Sequence, residues 1–336
     1  MSLNTLEEIA SYIVSDGKGI LAADESNPTC TKRFDTIGVE STEESRRDYR
    51  EMLFRSGGIQ GNIGGVILFD ETIRQNAKDG TSLVDLMNSQ GALPGIKVDK
   101  GLQPIGDSDE TVTVGLEGLD ERLKEYALLG AKFTKWRAVI KIGNNLPTDN
   151  CIDANMKALA DYAKVVQDNG MVPMVEPEVL MEGDHSIEEC FAATERSLKS
   201  LFHHLKENGV NIKGTILKPN MVTAGSTCPN QASINEVAQK TLDCLKANVP
   251  SELPAITFLS GGQSELLATA HLDAMNKIGG FDWKLSFSYG RALQAPTLKA
   301  WMGKPENIFI AQDALSHRAK MNQLAALGQW DKGLED

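Results

Sequence analysis

Short apolar runs alternate with longer segments of helical spacing along most of the chain. Eight runs, bounded by glycine, proline or polar residues, have the length and composition of buried β-strands. They span residues 19–23, 65–69, 95–98, 133–140, 172–175, 214–217, 256–259 and 284–287. Segments with apolar residues at helical spacing include 119–129, 154–168, 187–207, 234–247 and 265–277. The pattern therefore predicts strand and helix in repeated alternation.

This alternation favours an α/β fold of the (β/α)8 TIM barrel type, because parallel strands joined by right-handed crossovers close into a barrel. A doubly wound open sheet is the competing architecture, but no glycine-rich turn follows the first run and no reversal of order is visible. Residues 3–14 predict an extra N-terminal helix, and residues 305–327 predict a C-terminal helical extension. We expect residues 1–336 to form a single domain, since no shift in composition marks a boundary.

Charge and cysteine content narrow the functional classes. The chain carries 34 Lys plus Arg against 46 Asp plus Glu, a net charge of -12, which argues against binding to nucleic acid or anionic membranes. Its five cysteines are widely spaced, which is typical of free thiols in a reducing compartment. No apolar stretch approaches the roughly 18 residues that span a bilayer. We expect a soluble, cytoplasmic protein, or a stromal one after removal of a transit peptide.

Ionisable side chains end several of the apolar runs. In a barrel the carboxyl ends of the strands form one rim, where active sites lie. Each charge alone is typical of a solvated strand end or a structural ion pair, but a cluster of both signs on one rim exceeds what stability requires. The ionisable residues at these positions are Asp24, Lys97, Lys135, Glu176, Lys218 and Arg291. Ser260, Gly261, Gly262 and Gly290 also follow the ends of runs.

Lys218 follows a buried run and precedes Pro219, so its amine lies half out of water at the predicted rim. Such an amine can attack a carbonyl carbon once it loses its proton, and partial burial with a neighbouring cation, Lys135 or Arg137, favours that loss. Glu176 could carry the protons that imine formation requires, and Asp24 could accept one from a substrate hydroxyl.

Two sets of residues suit phosphate groups. Ser260, Gly261 and Gly262 offer unobstructed backbone N–H groups near a helix start, and Arg291 follows the eighth run, as in many barrels that bind phosphate there. Basic and hydroxyl side chains after the first and third runs form the second set: Ser26, Thr29, Arg33 and Lys97. A substrate with a phosphate at each end would span the rim.

Eight segments, in order along the chain, closely resemble the class I fructose-bisphosphate aldolases from near residue 17 to near residue 313. They are GILAADES, GGVILFDET, GIKVDKG, KWRAVIKIG, VPMVEPEVL, GTILKPNMV, ITFLSGGQSE and FSYGRALQAP. The resemblance implies a homotetrameric lyase without metal or other cofactor that acts on sugar phosphates. It would reversibly split fructose 1,6-bisphosphate into dihydroxyacetone phosphate and glyceraldehyde 3-phosphate.

The resemblance also implies a role for each matching residue. Lys218 would form the Schiff base, Glu176 would act as general acid and base, Asp24 would accept the C4 hydroxyl proton, and Lys135 would supply positive charge. Ser260, Gly261, Ser288, Gly290 and Arg291 would hold the C1 phosphate, and Ser26, Thr29, Arg33 and Lys97 the other phosphate. Gly262, Arg137 and Glu178 complete the substrate-binding set.

Two departures from the family accompany this resemblance. The loop with Thr29 is closer to the plant and algal pattern than to the animal one. Many members end in a tail with a terminal tyrosine that assists proton transfer, whereas the last tyrosine here is Tyr289. Either the chain is truncated or another group moves that proton. Preference among fructose 1,6-bisphosphate, fructose 1-phosphate and sedoheptulose 1,7-bisphosphate stays open.

Three alternatives remain at this stage. Residues 259–263 spell LSGGQ, a signature of ABC-type ATPases, but no phosphate-binding loop of the Walker type accompanies it. A zinc-dependent aldolase would need ligands, and the five histidines are poorly spaced for it: His185, His203, His204, His271 and His317. A non-catalytic scaffold would leave Asp24, Lys135, Glu176 and Lys218 far apart.

Overall fold

Parallel strands form a closed barrel in this computed structural model, which describes residues 3–335. The eight barrel strands within these residues are β1 (Gly19–Ala23), β2 (Ile63–Leu68), β3 (Leu93–Lys97), β6 (Phe133–Ile140), β7 (Val172–Val179), β8 (Ile216–Leu217), β9 (Ala255–Phe258) and β10 (Lys284–Tyr289). β10 closes the ring by pairing with β1, with Ser288 opposite Ile20. An antiparallel hairpin of β4 (Leu102–Pro104) and β5 (Thr111–Thr113) interrupts the alternation between β3 and β6.

Helices pack around this barrel and cover its outer surface. The helices are α1 (Leu6–Ile13), α2 (Asn27–Asp35), α3 (Glu43–Phe54), α4 (Asp70–Ile73), α5 (Leu83–Ser89), α6 (Leu119–Leu128), α7 (Asp149–Asp168), α8 (Ile187–Glu207), α9 (Ile234–Asn248), α10 (Glu265–Ile278), α11 (Arg291–Trp301) and α12 (Ile308–Ala326). Short 3₁₀ turns span Ser15–Gly17, Ile212–Gly214, Pro305–Asn307 and Lys332–Glu335. The predicted TIM barrel is confirmed, with its N-terminal helix and its C-terminal helical extension.

Two strand predictions need correction. The fifth predicted run, 172–175, corresponds to β7, which continues to Val179. It does so because β6 and β7 stay in register from Phe133↔Val172 to Ile140↔Val179. Glu176 therefore lies within the strand and not after it. The predicted run 214–217 forms a strand only at Ile216–Leu217, because the preceding residues form a 3₁₀ turn.

Apolar side chains fill the lower part of the barrel. The ring of Phe133 lies where a Cβ atom on Gly95 would come within 2.3 Å, so only glycine fits at that position. Below this layer, Ile9 and Ile13 of α1 join the same buried cluster and close the amino-terminal end of the barrel. α1 begins with a capping box in which Thr5 and Glu8 satisfy each other's backbone N–H groups. Within residues 3–335, α1 and Phe133 therefore close the end of the barrel that lies opposite the carboxyl ends of the strands.

None of the helices that the structure describes has both the length and the apolar character needed to cross a membrane.

Candidate active site

Lys218 directly follows the short strand β8 and is buried, with 4% of its surface exposed. Its backbone N–H donates to the carbonyl of Val175 at 2.8 Å, which continues the ladder between β7 and β8 for one more residue. Pro219 then ends the pairing, because it has no N–H group to donate. The side chain is held at the carboxyl end of the barrel, as predicted, but the prediction that its amine lies half out of water is wrong because neighbouring strands and side chains bury it.

Two lysines and two carboxylates, the charge cluster of Asp24, Lys135, Glu176 and Lys218, alternate at this end of the barrel. Lys218 Nζ lies 3.1 Å from Glu176 Oε1, and Lys135 Nζ lies 3.3 Å from Glu176 Oε2. Lys135 Nζ also lies 2.7 Å from Asp24 Oδ2. The four side chains come from four strands, so the barrel's closure brings them together. The scaffold interpretation, which required them to be far apart, is therefore wrong.

Electrostatic interactions within the cluster outweigh the cost of burial. Burial alone would raise the pKa of Asp24, but the positive charges of Lys135 and Lys218 lower it to about 2. For Glu176, burial also opposes ionisation, and the same two lysines with Arg137 lower its pKa. Burial opposes the charged form of Lys135, yet Asp24 and Glu176 raise its pKa. At neutral pH both carboxylates are ionised and Lys135 is an ammonium ion.

An open pocket of about 270 Å³ lies over the charge cluster. Its wall contains the cluster together with all but one of the predicted binding residues: Ser26, Thr29, Arg33, Lys97, Arg137, Glu178, Ser260, Gly261, Ser288, Gly290 and Arg291. The exception is Gly262, which stands behind the wall, where a Cβ atom would lie 3.4 Å from the Arg291 guanidinium. A side chain at residue 262 would therefore crowd the Arg291 guanidinium, and Gly262 itself is absent from the pocket wall.

One side of the pocket has the features of an anion site. The glycine turn, residues 260–262, has φ values of 59° at Gly261 and 99° at Gly262, a backbone form that favours glycine and leaves its N–H groups unobstructed. On the same side, α11 begins at Arg291. Its N-cap residue, Gly290, has no side chain that could accept from the first N–H groups of the helix. The buried Ser288 Oγ has no hydrogen-bond partner within residues 3–335. An oxyanion would satisfy these donors.

The second basic set lines the same pocket. Lys97 Nζ donates to Asp99 Oδ1 at 2.6 Å and to the Asp99 carbonyl at 2.9 Å. Arg33 pairs with Glu25, and Arg137 pairs with Glu178. The hydroxyl groups of Ser26 and Thr29 lie 3.1 Å apart at the start of α2. Arg33 also lies near the first region, because a Cβ atom on Gly290 would come within 3.7 Å of its guanidinium.

The comparisons with known proteins agree with this geometry. The family model described as fructose-bisphosphate aldolase class-I matches residues 5–336. The chain belongs to this family. It is 53% identical over 332 residues to a probable fructose-bisphosphate aldolase class 1 of Xanthomonas axonopodis pv. citri, covering 98% of this chain and 99% of the relative. A cytosolic fructose-bisphosphate aldolase 4 of Arabidopsis thaliana is 51% identical, covering 95% of this chain and 82% of the relative.

A solved structure gives the same result for the fold of this class I aldolase. The Plasmodium falciparum fructose-bisphosphate aldolase, crystallised with TRAP and a small-molecule inhibitor, superposes with a TM-score of 0.96 at 47% identity. The match covers 98% of this chain and 95% of that one. The protein is a carbon–carbon lyase, and the ATPase interpretation of LSGGQ is wrong because that segment forms the turn after β9.

Sequence reasoning missed two carboxylates that pair with basic residues of the pocket of this aldolase. Glu25 is buried and bridges Arg33 to Arg50, and Gln294 Nε2 donates to its Oε1 at 2.9 Å. Nothing local signals this, since Gln294 is 269 residues away. Asp99 pairs with Lys97, but β3 ends at Lys97, so the alternation of side chains along a strand gave no signal for this contact.

The histidines lie outside the pocket of the aldolase. His203, His204 and His317 pair with carboxylates at the surface, and His185 and His271 are buried. Across residues 3–335, no group of three or more His, Cys, Asp or Glu side chains is arranged to hold a metal ion.

Proposed function

We propose that this aldolase cleaves fructose 1,6-bisphosphate through a Schiff base between Lys218 Nζ and the substrate's C2 carbon. The 3.1 Å contact of Lys218 Nζ with Glu176 Oε1 is the observation that carries the proposal, because it gives the attacking amine an acceptor for its proton. Lys135 is the other lysine of the cluster. It contacts two carboxylates that raise its pKa, so it stays protonated and cannot attack.

Glu176 then carries protons between the amine and the substrate. The amine adds to the C2 carbonyl to give a carbinolamine, and the proton that Lys218 lost passes through the Glu176 carboxyl to the departing hydroxyl. That hydroxyl leaves as water and an iminium remains. Glu176 can serve both steps because its two oxygens contact two different nitrogen atoms, Nζ of Lys218 and Nζ of Lys135.

Asp24 is the proposed base for cleavage of the C3–C4 bond. Its carboxylate, ionised because its pKa is about 2, accepts the C4 hydroxyl proton, and C4 becomes the aldehyde carbon of glyceraldehyde 3-phosphate. The electron pair of the broken bond moves into the iminium and forms an enamine. Protonation at C3 and addition of water release dihydroxyacetone phosphate and restore the lysine. The Lys135 ammonium, which lies between Asp24 and Glu176, would stabilise the negative charge that develops on the C4 oxygen as its proton leaves.

The two phosphates are assigned to the two basic sides of the pocket. The glycine turn, Ser288, Gly290 and Arg291 would bind the C1 phosphate, since the unpartnered Ser288 Oγ and the start of α11 point to an anion. Ser26, Thr29, Arg33 and Lys97 would bind the second phosphate. Arg137 and Glu178, which pair at the pocket wall, would contact the sugar between them.

Reductive trapping tests this proposal. The protein is incubated with dihydroxyacetone phosphate and borohydride, and the modified residue is located by mass spectrometry. A covalent adduct at Lys218 is the expected result, while an adduct at Lys135, or none, would contradict the mechanism. A parallel sample with chelator should keep full activity, because the proposed steps use no metal ion.

Substitution of Lys135 with methionine should move the acid limb of the kcat/KM profile upward. The ammonium lowers the pKa of both Asp24 and Glu176, so its loss lets both carboxyl groups take up protons at higher pH. We expect the limb to rise by about one to three pH units. Lys135→Arg keeps the charge and should leave the limb near its original position. An unchanged limb in Lys135→Met would contradict the assigned role.

Substitution of Lys97 with alanine should weaken the bisphosphate more than the monophosphate. Loss of one charged hydrogen bond to the second phosphate should raise KM for fructose 1,6-bisphosphate about tenfold and leave KM for fructose 1-phosphate nearly unchanged. Lys100→Ala, three residues away and exposed, controls for general loss of positive charge. Equal losses for both substrates in Lys97→Ala would remove Lys97 from the phosphate site.

Other properties follow from the family and belong to the proposal. A relative in Arabidopsis thaliana carries the word cytosolic in its name, which supports a cytoplasmic location. We further propose that the enzyme is a homotetramer that acts in glycolysis and gluconeogenesis, with the Calvin cycle as the setting if it lies in plastids.

A further inference from the structure

A buried histidine, His271, contacts Gln263, the residue that directly follows the glycine turn. His271 lies on α10 with 3% of its surface exposed, and its Nδ1 is 2.6 Å from Gln263 Oε1. An amide oxygen only accepts hydrogen bonds, so Nδ1 is the donor. The other ring nitrogen, Nε2, is buried and has no partner among the residues that the structure describes.

This histidine stays neutral at physiological pH. Burial lowers the pKa of His271 to about 4, so the ring does not titrate near pH 7. Its single ring proton is fixed on Nδ1 by the contact with Gln263. His271 therefore donates a hydrogen bond of constant direction and takes no part in proton transfer.

Gln263 connects this hydrogen bond to the glycine turn. Its backbone N–H donates to the carbonyl of Ser260 at 3.0 Å and closes the turn, while its side-chain Nε2 reaches Met221 Sδ at 3.6 Å. Met221 lies three residues after Lys218. The two glycines between Ser260 and Gln263 have no side chains that could fix the turn. Gln263 is thus the anchor between the turn, α10 and the loop after β8.

Stability alone gives little reason for a histidine at this place. A buried ring nitrogen without a partner costs free energy that an apolar side chain of similar size would avoid. What the imidazole gains here is the bond to Gln263 Oε1, and with it a fixed orientation of the residue that closes the turn.

We propose that His271 is a positioning residue that, through Gln263, holds the backbone N–H groups of the glycine turn in the direction that binds the substrate's C1 phosphate. The inference rests on the proposed assignment of this turn to that phosphate. It adds to the active site a side chain that touches neither substrate nor any residue of the charge cluster.

The test compares two substitutions at the same position. In His271→Leu the donor is lost, and KM for fructose 1-phosphate should rise about tenfold while kcat changes less than twofold. KM for fructose 1,6-bisphosphate should rise by the same factor, because both substrates carry the C1 phosphate. His271→Asn places an amide N–H near the former Nδ1 position, so it should restore KM to within about twofold of the original value.

A substitution on the other side of the bond gives an independent measurement. Gln263→Met removes the amide but keeps the length of the side chain, and it should raise KM as His271→Leu does. The double variant should be no worse than either single one, because both break the same bond. Thr269→Val, on the same helix, loses bonds to Arg318 and Asn322 instead and is the matched control: a lower Tm with unchanged KM.

Several results would overturn the positioning role. They are an unchanged KM in His271→Leu, a loss of kcat without a change in KM, or no recovery in His271→Asn. Should His271→Leu not fold, Gln263→Met decides, and an unchanged KM there refutes the role. Borohydride trapping of the unsubstituted enzyme separates this from failure of the proposed function. An adduct at Lys218 with unaltered KM in the variants refutes only the inference, whereas no adduct at Lys218 refutes the proposed function.

Discussion

Replacement of Lys218 with methionine is expected to lower kcat by about 10⁴-fold or more, because the covalent route through the iminium no longer exists. The substitution should also abolish borohydride trapping with dihydroxyacetone phosphate. The fold should persist, since Glu176 keeps its contact with Lys135 and the methionine side chain suits a buried site. Turnover, mass spectrometry of the adduct and a thermal melt measure the three effects.

A matched control for Lys218→Met is Lys213→Met, which changes an exposed lysine before the same strand. It should keep both activity and labelling at Lys218. If Lys218→Met still accumulated a reduced adduct, or retained more than a few per cent of activity, the nucleophile would have to be another residue.

Replacement of Asp24 with asparagine should lower kcat for cleavage by about 10³-fold, because the C4 hydroxyl loses its base. In the proposed mechanism, Schiff-base formation uses Lys218 and Glu176 but not this carboxylate. Trapping with dihydroxyacetone phosphate should therefore still label Lys218 in the variant. An enzyme that forms the adduct but does not split the sugar would separate the two stages of the reaction.

The control for Asp24→Asn is Asp35→Asn, an equal change of charge at an exposed position of α2. It should leave kcat unaltered. A simultaneous loss of cleavage and labelling in Asp24→Asn would mean that Asp24 supports the attack of Lys218, or the local fold, and not the later step.

Most of the barrel could be predicted from the sequence. Buried parallel strands are short and apolar, whereas the helices that connect them have apolar residues at every third or fourth position. In a barrel the carboxyl ends of the strands share one rim. This rule correctly predicted that Asp24, Lys135, Glu176 and Lys218 lie close together. The length of β7 was wrong because charged residues such as Glu176 and Glu178 interrupt the apolar pattern, although they point into a polar pocket. The β4–β5 hairpin was missed because its first strand is fully exposed.

Contacts between distant segments could not be predicted. Glu25 meets Arg50 of α3 and Gln294 of α11, and the patterns of those helices gave no sign of this. His271 gave no signal either, because one histidine within a helical segment is usually a packing residue. Its bond to Gln263 depends on how α10 leaves the glycine turn, which is a property of the folded backbone.

α1 seals the base of the barrel, and Phe133 fills the space above it. Among residues 3–335, the proposed sugar substrate and its fragments therefore have their path to the charge cluster at the carboxyl ends of the strands. In the proposed Schiff-base mechanism the aldehyde fragment departs while the other fragment stays bound to Lys218, so the two products leave in sequence. Any molecule that covers the pocket at the carboxyl ends of the strands should therefore block cleavage and condensation alike. Within residues 3–335, α1 and Phe133 close the other end of the barrel.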